Sequence, residues 1–184
     1  MRKSLQAKSS LKMVKLLAIP GSLRANSSSN LILNGIASWV PDDVSFEIYT
    51  GIGSLPHFND ADEVPDSVIN FRNKVRKSDG VLICTPEYAF GVPGSLKNAL
   101  DWTVGSGEFV NKPVGLVTAS SQGEKGHAAL LLILTAISAN VVDGGALLIS
   151  SVRSKLDASG NVNDPITLAN LQKVMKVLLH NIHI

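Results

Sequence analysis

From Met13 onward, short apolar runs alternate with stretches of helical periodicity, and most of the runs end in a cluster of turn formers. Val14–Ile19 (VKLLAI) stops at Pro20-Gly21, Gly80–Thr85 (GVLICT) at Pro86, and Pro113–Ala119 (PVGLVTA) at Ser120. Runs this short, with little polar alternation, read as strands covered on both faces. Val44–Tyr49 (VSFEIY) alternates in period two and reads as a strand nearer an edge, and Ala146–Ser150 (ALLIS) as a fifth strand. Between them the spacing predicts helices over Asn30–Val40, Pro65–Ser78, Ser95–Trp102, His127–Asn140 and Pro165 to about His180. Strands alternating with helices in this way build a doubly wound, five-stranded parallel α/β sheet with helices on both faces. Ligands of such sheets sit beyond the carboxyl ends of the strands. That directs attention to residues 20–30, 50–64, 86–95 and 120–126.

Composition narrows the possibilities further. The chain has 184 residues, with no repeat and no second apolar-periodic block, so one domain is expected over 13–184. Its net charge of +2 is uneven: Arg2, Lys3, Lys8 and Lys12 give the first twelve residues +4, leaving the remainder at −2. A mildly acidic body argues against a nucleic-acid partner. No apolar run approaches the roughly 18 residues of a membrane span. The basic, acid-free segment 1–12 shares its composition with transit peptides. An unstructured extension or an upstream start codon is the preferred reading, because Met13 directly precedes the first strand. A single cysteine, Cys84, excludes a disulfide framework and a CxxC site, and suits a reducing compartment such as the cytoplasm.

Three loops carry candidate chemistry. Gly21–Asn30 (GSLRANSSSN) joins the first strand to the first helix with four hydroxyls, two amides and one guanidinium. Backbone N–H groups at a helix N-terminus favour an anion, and Arg24 adds a charge-assisted donor. The loop is neither GxGxxG nor GxxxxGK[ST], so a phosphate monoester fits better than a dinucleotide or a nucleoside triphosphate. Thr85–Gly94 (TPEYAFGVPG) is rigid and sharply turned, and offers Tyr88 and Phe90 to a flat ring. Ser120–His127 (SSQGEKGH) supplies small residues and exposed N–H groups.

Other chemistry is poorly supported. His57, His127, His180 and His183 lack metal-ligand spacing, Cys84 lies inside an apolar strand, and no GxSxG elbow is present. Glu87 has no paired acid. No metal site and no catalytic side chain is expected, which turns attention to a bound redox cofactor as the source of any chemistry.

The segments GSLRANSSSN, TPEYAFGVPGSLKNALDW and PVGLVTASSQG resemble the NADPH-dependent FMN reductase family, with its chromate, quinone and azo reductase relatives and flavodoxin-like fold. The resemblance runs from about Met13 to Ser150. It implies non-covalent FMN, with Ser22, Arg24, Ser27 and Ser29 at the phosphate and Asn30 nearby. Pro86, Glu87 and Tyr88 would line the isoalloxazine, and Ser120, Ser121 and Gly123 would close its other side. It also implies NADPH or NADH as hydride donor and a small-molecule acceptor: a quinone, free flavin, azo compound or metal oxyanion. A homodimer or homotetramer is implied as well, with the KNALDW helix near the subunit contact. The family pattern has Asn after Pro-Glu-Tyr; Ala89 stands there in this chain, read as the loss of one polar contact near the flavin edge. Its third loop is also often richer in glycine, where this chain has Lys125 and His127. Two alternatives stay open at this point, an FMN electron carrier that does not react with nicotinamides and a binding module with no redox role.

Overall fold

The computed structural model describes residues 13–60 and 63–182; the basic segment 1–12 and His183 lie outside the described residues. Strands β1 (Val14–Pro20), β2 (Val44–Ile48), β3 (Gly80–Thr85), β4 (Pro113–Ala119) and β5 (Asn140–Ile149) form one sheet. Helices α1 (Ser28–Ala37), α2 (Asp66–Lys77), α3 (Gly94–Asp101), α4 (Glu124–Ala136) and α5 (Pro165–Ile182) connect and flank it. The order is β2-β1-β3-β4-β5 and every pairing is parallel, the flavodoxin-like doubly wound arrangement. Its switch point lies between β1 and β3, where successive connections leave in opposite directions.

The strands are apolar because both their faces are covered. Leu17 and Ile19 of β1 pack with Phe71, Val75, Leu100 and Trp102 on the α2–α3–α4 side. Leu16 and Ala18 pack with Ile32, Leu33, Val174 and Leu178 on the α1–α5 side. Edge strand β2 keeps its period-two pattern, with Ser45 and Glu47 exposed.

Three elements have bounds that depart clearly from the spacing-based expectation. Helix α1 starts at Ser28 rather than Asn30, because Ser27 is the N-cap and its Oγ accepts the Asn30 N–H at 3.3 Å. It ends at Ala37, where the Ser38 N–H turns back to the Gly35 carbonyl. Helix α4 spans Glu124–Ala136 instead of His127–Asn140, taking in residues expected to be loop and ending before Ser138, at φ 58°. Strand β5 begins at Asn140, not Ala146. Its register jumps from Val114↔Val141 to Leu116↔Ala146, so a bulge carrying Asp143-Gly144-Gly145 interrupts a longer strand.

The described part of the segment after β2, residues 50–60, holds more structure than its composition suggests. A 3-10 turn over Ile52–Ser54 buries Ile52 and Leu55. The following stretch is fastened to α3. Asn98 accepts the Phe58 N–H at 2.7 Å and donates to the Pro56 carbonyl at 2.9 Å, and the Trp102 indole donates to the same carbonyl at 2.8 Å. Phe58 packs edge-on against Trp102 at 5.1 Å. The Asn and Trp of the KNALDW segment thus act here as a strap anchor.

Candidate active site

A cavity of about 520 Å³ opens at the carboxyl ends of β1, β3, β4 and β5. Four segments line it: Arg24 with Ser27–Ser29, Pro86–Tyr88, Ala119–Ser121, and Ser151–Ser154. Its volume lies within the usual range for small-molecule and cofactor sites.

Local hydrogen bonds set the first segment. The Asn30 side-chain amide donates to the Arg24 carbonyl at 2.8 Å, to Ser27 Oγ at 3.0 Å and to the Ser22 carbonyl at 3.4 Å. That knits the loop to α1 and points the start of the helix into the cavity. The N–H groups of Ser28 and Ser29, in the first turn, have no partner among the described residues. Ser27 and Ser29 are buried with their hydroxyls 3.4 Å apart. Ser22 is also buried and shares a 3.3 Å hydrogen bond with the Tyr88 hydroxyl, which bridges the switch point from β1 to β3.

The second segment contains a two-residue hairpin. Tyr88 and Gly91 exchange backbone hydrogen bonds at 3.0 and 2.9 Å, with Ala89 at φ 48° and Phe90 at φ 60° between them. Positive φ at both central residues defines a type I′ turn, in which Asn is favoured for its tolerance of the left-handed region. Position 89 is exposed at the hairpin tip. The Ala89 departure therefore has a conformational consequence, since alanine stands where Asn would better tolerate the left-handed backbone.

Backbone pairing brings the last two segments together. The Ser151 N–H donates to the Ser121 carbonyl and the Val152 N–H to the Ser120 carbonyl, each at 3.0 Å. Helix α4 then follows its N-cap Gly123, whose φ of 108° suits glycine. On its first turn, His127 Nδ1 lies 2.8 Å from Thr118 Oγ1, and burial pushes the imidazole below its ordinary pKa.

Cavity electrostatics favour an anion. Arg24 and Arg153 both line it, and neither guanidinium forms an ion pair among the described residues. The lining acid is Glu87, and its carboxylate is already engaged by the Gly126 N–H at 2.7 Å. Other chemistries find little footing. Among the described residues no group of His, Cys, Asp and Glu could hold a metal, and no helix is long and apolar enough to cross a membrane. Cys84 is fully buried, which pushes its thiol pKa far up and leaves it a small hydrophobe.

Eight of the expected site residues converge on the cavity: Arg24, Ser27, Ser29, Pro86, Glu87, Tyr88, Ser120 and Ser121. Ser22, Asn30 and Gly123 stand behind its walls, supporting the loops that form it. The segment Ser151–Ser154 was not expected. The rule that ligand-binding loops follow strand ends would have found it had it been carried to β5 as well.

Sheet order and cavity together define the class, a flavodoxin-like α/β protein with an anion-suited cleft at its switch point. The chain belongs to the NADPH-dependent FMN reductase family, whose model matches residues 14–153. It is 33% identical over 171 residues to a 2-hydroxy-1,4-benzoquinone reductase of a Burkholderia species, covering 88% of this chain and 92% of the relative. It is 32% identical over 174 residues to an NAD(P)H-dependent FMN reductase of Pseudomonas aeruginosa, covering 90% and 93%. Among solved structures, the flavoenzyme NAD(P)H:(acceptor) oxidoreductase FerB of Paracoccus denitrificans superposes with a TM-score of 0.74 at 27% identity, over 92% of this chain and 97% of that one. The protein is thus an oxidoreductase that works with FMN and a nicotinamide donor.

Proposed function

We propose that the protein takes hydride from NAD(P)H through FMN held in this cavity and reduces a small, flat acceptor of the quinone or azo type. The observation that carries the reading is the meeting, in one cavity, of a helix N-terminus and two guanidinia that have no partner among the described residues. That donor set suits a phosphate monoester, whose charge offsets both. Ser27, Ser28 and Ser29 would hold the phosphate beside Arg24, with Arg153 across from them and Ser22 and Asn30 keeping the loop in shape. Pro86, Glu87 and Tyr88 would form one wall for the ring, and Ser120 and Ser121, set by Gly123, the other. The redox chemistry belongs to the cofactor when bound; the chain's own residues orient it and limit water. Quinone and azo acceptors are supported by relatives bearing those names, a quinone reductase of Escherichia coli and an NADPH azoreductase of a Bacillus species among them.

Residues 13–184 act in this reading as one FMN-binding domain in a homodimer or homotetramer. Support comes from α4, where Ala128, Leu132 and Ala136 form an exposed stripe at i, i+4 spacing, with Leu132 at 73% exposure. A cytoplasmic location accords with the lone, buried, free Cys84. The deciding experiment is a visible spectrum of purified protein loaded with FMN, followed by anaerobic titration with NADPH and with NADH. Bleaching of the flavin band is expected. A band that persists with both donors would leave an electron carrier instead, and failure to take up FMN would refute the site.

A further inference from the structure

We infer that Glu87 is a positioning residue that locks the two ring-facing walls of the cavity together by capping helix α4 from outside. A helix start leaves several N–H groups unsatisfied, and the N-cap side chain ordinarily satisfies one of them. Helix α4 cannot use that device. Its N-cap is Gly123, at φ 108°, and a Cβ there would lie 2.7 Å from Leu148 Cδ1. The missing acceptor arrives from 39 positions earlier in the chain, where Glu87 Oε2 accepts the Gly126 N–H at 2.7 Å. Gly126 is the third residue of the helix, the position an N-cap side chain would have served.

The joint is also close-packed. A Cβ on Gly126 would stand 3.1 Å from Glu87 Cγ and 3.1 Å from the Gly91 carbonyl oxygen, so glycine lets the helix approach the Tyr88–Gly91 hairpin. The contact joins the loop after β3 to the helix after β4. Ser120 and Ser121 lead into that helix on one side, and Pro86 and Tyr88 flank the carboxylate on the other. The separation of these walls is therefore held by the carboxylate–amide bond together with the glycine packing around it. Since its carboxylate faces α4, Glu87 serves the site through geometry, not as a proton donor or acceptor to substrate.

The inference rests on the FMN reading above, so its test has one arm that needs no flavin. In cofactor-free protein, native-state hydrogen exchange at the Gly126 amide reports the joint directly. Glu87→Ala is expected to speed that exchange at least about tenfold and to weaken FMN binding about tenfold, measured by quenching of flavin fluorescence. Glu87→Gln keeps an acceptor oxygen and is expected to restore FMN affinity to within about threefold of the parent protein. Gly126→Ala strains the joint from the other side while raising helix propensity, and is expected to weaken FMN binding without lowering thermal stability. Parental FMN affinity in Glu87→Ala would overturn the inference, as would a Glu87→Gln protein no better than Glu87→Ala. If the parent protein takes up no FMN, the proposed function fails, and unchanged Gly126 exchange in Glu87→Ala would separately refute the joint.

Discussion

The hairpin at Ala89 allows a quantitative test of how this chain stores strain beside its cavity. Ala89 and Phe90 occupy the left-handed region at φ 48° and 60°. For an L-residue other than Gly, Asn or Asp that region costs about 1–2 kcal/mol. Asn tolerates it and leaves the unfolded chain little changed, and position 89 is exposed, so no packing is lost. Ala89→Asn is therefore expected to stabilise the protein by about 1 kcal/mol, or a rise of about 2–4 °C in Tm for a chain of this size. Ala89→Gly relieves the same strain but gives back about 0.4–1 kcal/mol through greater freedom of the unfolded chain, and should lie between the two. Thermal and urea unfolding of cofactor-free protein would read this cleanly, since bound ligand shifts apparent stability by mass action. An Asn protein that melts no higher than the Gly protein, or below the parent, would refute the conformational account of position 89.

Other expectations follow from the same geometry. Arg24→Ala should weaken FMN binding about 10- to 100-fold by loss of a charge-assisted hydrogen bond, checked by flavin fluorescence titration. The His127 imidazole is held below its ordinary pKa by burial, so the unfolded chain binds more protons than the native one as pH falls through 6.5. Stability contributed by neutral His127 is thus present above that pH and lost as pH falls through the native value. His127→Gln should flatten that part of the urea midpoint against pH. Leu132→Lys should leave the fold intact and lower the mass measured by light scattering, because it places a charge in the exposed stripe of α4.

How far the chain could be read without coordinates depended on the range of the interactions involved. Strand β3 is buried at every position, and GVLICT announces that directly. Helix α2 likewise declares its inner face through Val68, Phe71 and Val75. Local chemistry sets the start of α1 as well, but apolar spacing begins only at Leu31, whereas the Ser27 cap on the Asn30 N–H starts the helix at Ser28. The first half of β5 was hidden because Asp-Gly-Gly reads as a turn, whereas pairing with β4 holds it as a bulge. Ser151–Ser154 carries no Gly or Pro to flag it, and its place in the cavity wall comes from backbone bonds to Ser120 and Ser121 on another strand's loop. The Glu87 cap is a contact of the same kind, made across two loops.

The strap over α3 bears on any effort to redesign the loop that follows β2. Three hydrogen bonds from Asn98 and Trp102 fix the course of the backbone from Pro56 to Phe58. Randomising residues 56–58 alone would change side chains on a track that stays where it is. Combinatorial libraries should vary Asn98 along with that stretch, so that the main chain itself is released to take new paths.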